Sequence, residues 1–239
     1  MKTFRFSPVF LALAFFLALL AACGNDKDDS DKDTGKSSNT TVQCPNAVTS
    51  DNTNTMTCGG QTYKTVVIGN QTWMAENLNY KATGSACYDN LESKCNTYGR
   101  LYDWETAKNV CPEGWHLPSF DELQKLLLYV DRGNYEWNYD NPYDSPSAGK
   151  HLKAKEGWNG DDTYHFTALP GGGADGGYYF SEIGIRGTWW SATDDEFHDI
   201  NDNSTDGVYI LRILGNSDGI IGTDYWNKAF LFSVRCIKN

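Results

Sequence analysis

Disulfide pairing sets the first limit on the fold, because this chain of 239 residues contains seven cysteines. Cys23 follows an apolar N-terminal stretch of the kind that directs export, and the other cysteines lie between residue 44 and the C-terminus. An even number of cysteines in an exported chain predicts disulfides. The spacing favours the pairs Cys44–Cys58 and Cys87–Cys95, which leaves Cys111–Cys236. The sequence has no Cys-x-x-Cys or His-x-x-x-His pair that would favour zinc instead.

Residues 1–22 have the form of a signal peptide. Lys2 and Arg5 precede an apolar run over 9–22, which is too short to span a membrane. The tetrapeptide that ends at Cys23 resembles the lipobox of bacterial lipoproteins, in which the cysteine receives acyl chains such as palmitate. We therefore expect an outer-membrane lipoprotein that is anchored through Cys23 and exposed at the cell surface. The alternative is ordinary secretion with a free thiol at Cys23.

The segment 23–58 is predicted to be a tether that ends in a small disulfide loop, and 59–239 is predicted to be the folded domain. Residues 24–41 contain five aspartates and no aromatic residue, which is typical of a hydrated, disordered segment. The acidic run 26–29 resembles a surface-export signal, and the alternative is a solvated spacer that carries no targeting signal. All eight tryptophans and all 14 tyrosines follow residue 59, which places the packed core there.

The net charge of the chain argues against some classes of binding partner. With 31 acidic and 20 basic residues, the net charge is −11. Such a surface repels nucleic-acid phosphates and anionic lipid headgroups. We therefore expect no nucleic-acid partner, and we expect contact with the membrane through the lipid anchor.

Hydrophobic periodicity predicts helices and strands in separate parts of the domain, which is the α+β class. Ser119 and Glu122 have the spacing of a helix capping box, and the apolar stripe after them predicts a helix up to Val130. Shorter helices are predicted over 104–110 and 147–154.

Strands are predicted at both ends of the domain. β-Branched and aromatic residues predict them over 63–68, 71–75, 188–192, 208–213 and 229–236. A tight turn joins the first two strands into a hairpin. The stretches 134–147 and 193–207 lack apolar periodicity and are predicted to be long loops, where function tends to reside.

Six ordered motifs make the domain resemble a known family. They are TVVIGNQTWMAENL (65–78), YGRLYDW (98–104), CPEGWHLPS (111–119), FTALPGG (166–172), WWSAT (189–193) and SVRC (233–236). Together they resemble the Fibrobacter succinogenes major paralogous domain, a family of bacterial cell-surface lipoprotein modules, over about 63–237.

That family is in turn similar to C-type lectin-like and formylglycine-generating-enzyme domains. The resemblance implies a C-type lectin-like fold with two main helices, a small twisted antiparallel sheet, long loops and a disulfide that joins the ends of the domain. It implies no established activity.

A polar loop rich in aromatic residues is the candidate ligand site. Sugars present flat CH faces that stack on Tyr and Trp, and hydroxyls that pair with Asn and Asp. The candidate residues are Tyr135, Trp137, Asn138, Tyr139 and Tyr143. The alternative is that these rings fold back over the helix that follows Ser119.

A second loop offers oxygen ligands at alternate positions, as calcium sites do. The calcium candidates are Asp199, Asn201, Asn203 and Asp206. Ser204 stands where an EF-hand requires glycine, so an EF-hand is excluded and the alternative is a solvated acidic loop. The stretch 158–162 departs from the Trp-Asn-Asp calcium signature of lectins at Gly160. We therefore expect no cofactor, with calcium at the second loop as the alternative.

None of the catalytic or cofactor motifs considered occurs in the sequence together with the structural context that its chemistry requires. The string GGGADG over 171–176 matches a dinucleotide fingerprint in letters only, because no helix follows it to receive a pyrophosphate. His-Glu-x-x-His is absent. A formylglycine-generating activity needs paired cysteines in the C-terminal half, where Cys236 stands alone.

These observations favour a non-catalytic lipoprotein whose domain binds an extracellular polysaccharide or a surface protein through its long loops. One alternative is a carbohydrate-active enzyme on the same scaffold, since two facing carboxylates suffice for glycoside hydrolysis. Another alternative is a structural subunit of a cell-surface assembly.

Overall fold

Hairpins at the start of the domain and long strands near its end generate two sheets in an α+β fold. The computed structural model describes residues 43–45, 48–50, 52–132, 145–194, 207–221 and 226–239. These residues belong to one compact unit, Thr40–Asn239, and a second unit, Met1–Asn39, lies outside them.

The described strands are mostly short. They are β1 (Val48–Ser50), β2 (Thr55–Cys58), β3 (Gln61–Ile68), β4 (Gln71–Met74), β5 (Ser85–Ala86), β6 (Leu101–Tyr102), β7 (Trp115–His116), β8 (Gly173–Ala174), β9 (Phe180–Ser181), β10 (Arg186–Asp194), β11 (Gly207–Leu214), β12 (Ile220–Ile221), β13 (Trp226–Asn227), β14 (Phe232–Ser233) and β15 (Ile237–Lys238). The α-helices are α1 (Glu92–Tyr98), α2 (Trp104–Val110), α3 (Phe120–Val130) and α4 (Ala148–Leu152), and a 3-10 turn covers Tyr88–Asn90.

The first sheet has the strand order β1-β2-β3-β4-β15-β7. Strands β1 to β4 pair in sequence order as antiparallel hairpins. The C-terminal strand β15 lies between β4 and β7, where Ile237 is opposite both Trp73 and His116. The two strands that precede Gly59 therefore extend the same sheet as the hairpin β3–β4.

The second sheet has the order β12-β11-β10-β14-β6-β5, with β13 also on β11. Nearly all pairings are antiparallel, as the sequence predicts, but β10 and β14 are parallel at Trp189 and Ser233. Strands β8 and β9 form a separate hairpin. The domain therefore has two sizeable sheets where a single small one is expected.

The strand predicted over 229–236 is wrong, because this apolar stretch passes from one sheet to the other. Ser233 pairs with Leu101 in the second sheet, and Ile237 pairs with Trp73 in the first. Val234, Arg235 and Cys236, which lie between them, are buried during the crossing, so the stretch is buried throughout without being a continuous strand.

Helix α2 confirms the helix predicted over 104–110, and α3 confirms the helix predicted from the Ser119 capping box to Val130. In α3 the Ser119 hydroxyl accepts a hydrogen bond from the Glu122 N–H, and the Glu122 carboxylate accepts one from the Ser119 N–H. Helix α4 is shorter than predicted, and α1 is not predicted at all. No helix within the described ranges is both long enough and apolar enough to cross a bilayer.

Two large apolar clusters form the core. One surrounds Trp104, Trp115 and Trp190, and the other packs the apolar stripe of α3 against Trp73 and Trp189. Indole N–H groups inside the core bond to distant backbone: Trp104 donates to Ser191 and Trp190 donates to Tyr102. The tryptophans thus fix the position of loops as well as filling volume.

All three predicted cysteine pairs are bonded: Cys44–Cys58, Cys87–Cys95 and Cys111–Cys236. The third joins residues 125 apart in sequence and connects the end of α2 to the residue before β15. A bridge of this span restricts the unfolded chain most, and so contributes most to stability.

Candidate functional site

The residues predicted for ligand binding, calcium binding and lipidation lie outside the described part of the chain. They are Tyr135, Trp137, Asn138, Tyr139 and Tyr143 for the ligand, Asp199, Asn201, Asn203 and Asp206 for calcium, and Cys23 for the acyl chains. All three assignments remain predictions.

The two ends of the predicted ligand loop meet at Asp131, whose side chain is buried. One carboxylate oxygen accepts a hydrogen bond from the Ser145 hydroxyl, and the other accepts one from the Ser147 hydroxyl at 2.6 Å. The Ser145 oxygen in turn accepts the Ala148 N–H at 2.9 Å, at the start of α4. The described residues on either side of 133–144 are therefore held together by one carboxylate.

In the stretch 158–162, both carboxylates form hydrogen bonds within the protein. Asp161 bonds to His151 at 2.9 Å and accepts from the Thr163 hydroxyl at 2.6 Å. Asp162 accepts from the N–H and the hydroxyl of Thr167, at 2.7 and 2.9 Å. Both acids organise their own loop.

One group of metal-type side chains occurs among the described residues, formed by Cys87, Glu92 and Cys95. The two thiols are joined as a disulfide, and Glu92 pairs with Arg100 at 2.7 Å. Oxidised sulfur is not a thiolate ligand, so this group serves structure.

Residues from four of the sequence motifs converge on the side chain of Asn77. Its amide donates to the Tyr98 carbonyl at 2.8 Å and to the Ser233 hydroxyl at 3.3 Å. Its oxygen accepts from Trp189 Nε1 and from Arg235 Nε, each at 2.8 Å. We call these five residues the Asn77 network.

Arg235 extends this network to the segment that carries the FTALPGG motif. Its guanidinium donates to the carbonyls of Phe166 and Thr167 and lies 4.2 Å from the centre of the Phe166 ring. Burial lowers the pKa of Arg235 to about 9, and the charges of Asp162 and Glu76 oppose that shift. At neutral pH a buried cation therefore holds this segment through its carbonyl groups.

A cleft with a largely apolar main part lies between the hairpin β3–β4 and residues 165–169, and it reaches the network at Asn77 and Tyr98. Its main part, of about 520 Å³, is lined by Asn54, Lys64, Thr65, Val66, Val67, Ala75, Glu76, His165 and Thr167. A side chamber of about 140 Å³ shares Ala75, Glu76 and Thr167 with it and adds Gln61, Asn77, Asn79, Cys95, Asn96, Thr97, Tyr98, Gly99 and Leu169. We call the two parts the hairpin cleft.

One wall of the hairpin cleft has a strained backbone. His165 and Thr167, which line the cleft, and Asp162 before them have φ values of 56°, 53° and 47°, in the left-handed region that most non-glycine residues avoid. Each such residue costs about 1–3 kcal/mol, and Thr167 is also β-branched. The bonds from Asp162 and Arg235 offset this cost. The sequence patterns do not predict His165 or Thr167 as site residues, and the signal they offer is that Thr167 belongs to the FTALPGG motif.

Asn79 lines the side chamber and has an unusual side chain. Its Oδ1 is buried and has no hydrogen-bond partner in the described part of the chain, while the Asn79 N–H donates to the Tyr63 phenol at 3.0 Å. Burial raises the pKa of Tyr63 to about 12, so the phenol is neutral.

The comparison with known proteins agrees with the motifs. No curated protein and no solved structure matches the chain. Residues 66–238, well over half of the chain, match the profile of the Fibrobacter succinogenes major domain. That range contains the whole Asn77 network and most of the hairpin cleft. The chain therefore belongs to the Fibrobacter succinogenes major domain family.

Proposed function

We propose that this protein is an acyl-anchored lipoprotein of the outer membrane, and that its domain binds an extracellular, neutral polysaccharide in the hairpin cleft. Binding without catalysis is the proposed role.

Export and anchoring are supported by the N-terminal signal pattern and by three disulfides, which persist in oxidising compartments. Mass analysis of the membrane-extracted protein should find acyl chains on residue 23, and Cys23→Ala should release the chain into the medium. An unacylated native N-terminus would contradict the anchor.

The observation that carries the binding proposal is the strained wall of the hairpin cleft. Left-handed backbone at His165 and Thr167 lowers the stability of the fold and needs a buried cation to hold it. Strain of this kind concentrates at sites whose geometry serves a ligand. A wall with purely structural purpose could be built from glycine at no such cost.

The lining of the cleft favours a saccharide as the ligand. Amides and hydroxyls, such as those of Asn54, Thr65 and Asn96, supply donors and acceptors side by side, which a polyhydroxylated ring also presents. Val66 and Ala75 supply apolar surface for CH groups. The net charge of −11 disfavours a polyanionic ligand. A volume of about 520 Å³ is within the range of small-ligand sites.

Calorimetric titration of the oxidised, exported chain with cellohexaose, xylohexaose and mannohexaose tests this function. We expect at least one of these saccharides to bind. Asn79→Ala should weaken that binding by about tenfold, because it removes an amide side chain from the lining of the side chamber. It should leave the unfolding free energy within about 0.5 kcal/mol, because the oxygen has no protein partner.

Asn109→Ala is the matched control, since Asn109 is an exposed amide on α2, remote from the cleft. It should leave both measurements unchanged. The proposal would be contradicted if the wild-type protein bound none of these saccharides and no insoluble neutral polysaccharide.

We further propose that the fold is a divergent C-type lectin-like domain. The Cys111–Cys236 bridge between the middle and the end of the domain supports this assignment, as do the two main helices. An experimental structure superimposed on lectin-like domains is the direct test.

A further inference from the structure

The hairpin β8–β9 presents two consecutive tyrosines to solvent. Tyr178 is 50 % exposed and Tyr179 is 79 % exposed, the largest value for a bulky apolar side chain among the described residues. Neither ring contributes to the core. The sequence patterns and the hairpin cleft leave this pair unexplained.

The tip of this hairpin is held rigidly. Asp175 Oδ1 accepts hydrogen bonds from the N–H groups of Gly177 and Tyr179, each at 2.9 Å. The Asp175 carbonyl accepts the Tyr178 N–H at 2.9 Å. These bonds keep Tyr178 at φ 62°, in the left-handed region. Rigid tyrosines lose little conformational entropy when they bind.

The base of the hairpin is anchored to the core. Ala174 exchanges backbone hydrogen bonds with Leu231, at 3.1 and 2.9 Å. The Phe180 ring lies 5.2 Å from the Tyr88 ring and also contacts the edge of Tyr178. The tip therefore has a fixed orientation relative to the second sheet.

The Tyr179 ring lies beside Gly177. A Cβ at this position would stand in ordinary van der Waals contact with two carbons of the ring, at 3.4 and 3.5 Å. The ring therefore has Gly177 as a neighbour on one side, and its high exposure leaves most of its surface open. An aromatic face of this kind stacks on the flat CH face of a sugar ring.

From this geometry we infer that Tyr179 and Asp175 form a second saccharide contact, which binds a further unit of the neutral polysaccharide. The inference rests on the proposed function. Tyr179 supplies the stacking face. Asp175 Oδ2, which has no hydrogen-bond partner among the described residues, accepts a sugar hydroxyl beside it.

The surroundings favour a sugar over a protein or a lipid surface. Phe180 contacts Tyr178, and the other near residues of the turn are Asp175, Gly176 and Gly177, which add little apolar area. A stable protein interface buries about 800 Å² per partner. The chain is acidic, so an anionic bilayer is also disfavoured.

Co-sedimentation with the insoluble polysaccharide that the wild type retains, together with titration of its hexasaccharide, tests the contact. Tyr179→Ala should weaken binding by about tenfold, the effect of losing one stacking contact. Tyr179→Phe keeps the ring and should bind within about twofold of the wild type. Tyr129→Ala removes an exposed tyrosine from another face and should bind normally.

The outcomes separate the two proposals. Normal binding by Tyr179→Ala alongside weakened binding by Asn79→Ala would overturn the second contact and leave the hairpin cleft standing. A wild type that retains no polysaccharide would overturn both. If that wild type instead self-associates in sedimentation and Tyr179→Ala does not, the hairpin serves a protein contact and the inference is wrong.

Discussion

A single amide side chain, that of Asn77, connects motifs that are far apart in sequence. It bonds to an indole, a guanidinium, a hydroxyl and a carbonyl at once, and the bonds to the first three are buried. No other neutral side chain except glutamine offers two donors and an acceptor of two lone pairs. The motif residues Trp189 and Arg235 therefore have a physical reason for their identity that does not depend on a ligand.

Asn77→Ala should lower the unfolding free energy by about 3–5 kcal/mol, since it leaves buried donors and a buried cation without their acceptor. Urea denaturation measures this change. Asn109→Ala, on an exposed helix surface, should change stability by less than about 0.5 kcal/mol. A loss below about 1 kcal/mol for Asn77→Ala would show that the network is not a central support.

Among the elements, α3 could be predicted because its signal is local. Ser119 and Glu122 bond to each other's backbone, and the stripe after them packs inward. Helix α1 gives no such signal, since Leu91 precedes it without a side-chain acceptor. The wall at 162–167 could not be predicted either. Its left-handed residues depend on Arg235, which is remote in sequence, and a β-branched threonine argues against that conformation.

The capping box of α3 should make the unfolding free energy of the domain depend on pH. Burial raises the pKa of Glu122, but hydrogen bonds from the Ser119 N–H and hydroxyl and from His116 outweigh burial and hold it below its ordinary value of 4.5. A lowered folded-state pKa means that the carboxylate stabilises the fold above pH 4.5, and that this contribution is lost as the pH falls below it.

Glu122→Gln keeps the hydrogen-bond acceptor of the cap but removes its charge. Its unfolding free energy should therefore fall below that of the wild type most near neutral pH, and the difference should shrink below pH 4.5. Urea denaturation of both proteins across this range measures the deficit. Glu113→Gln, at an exposed loop position, should show no such trend. A deficit that grows on acidification would contradict the assignment.

For the whole molecule, the two sheets are held together by covalent and packed contacts near the C-terminus. The crossing residues 234–236 link the sheets, and Cys236 bonds to Cys111 at the end of α2. The spacing of the cysteines sufficed to predict this bridge. The position of β15 between β4 and β7 could not be predicted, because it depends on contacts across the full length of the domain.

Removing the long bridge should destabilise the domain more than removing a short one. By loop entropy, the Cys111→Ala/Cys236→Ala pair should cost about 5 kcal/mol and the Cys87→Ala/Cys95→Ala pair about 2.5 kcal/mol. Urea denaturation of both double variants measures the difference. The reverse order would show that residual structure in the unfolded chain, not loop closure, sets these values.

We propose that the strained backbone of the hairpin cleft serves saccharide binding, and His165→Gly tests this proposal most directly. Because His165 is exposed and left-handed, glycine should raise the unfolding free energy by about 1 kcal/mol and weaken saccharide binding about tenfold. Asp89→Gly relieves similar strain at an exposed position outside the cleft, so it should gain stability and bind normally. Urea denaturation and saccharide titration of both variants should show a gain in stability for each and weaker binding for His165→Gly alone. Unchanged binding by His165→Gly would contradict the proposal.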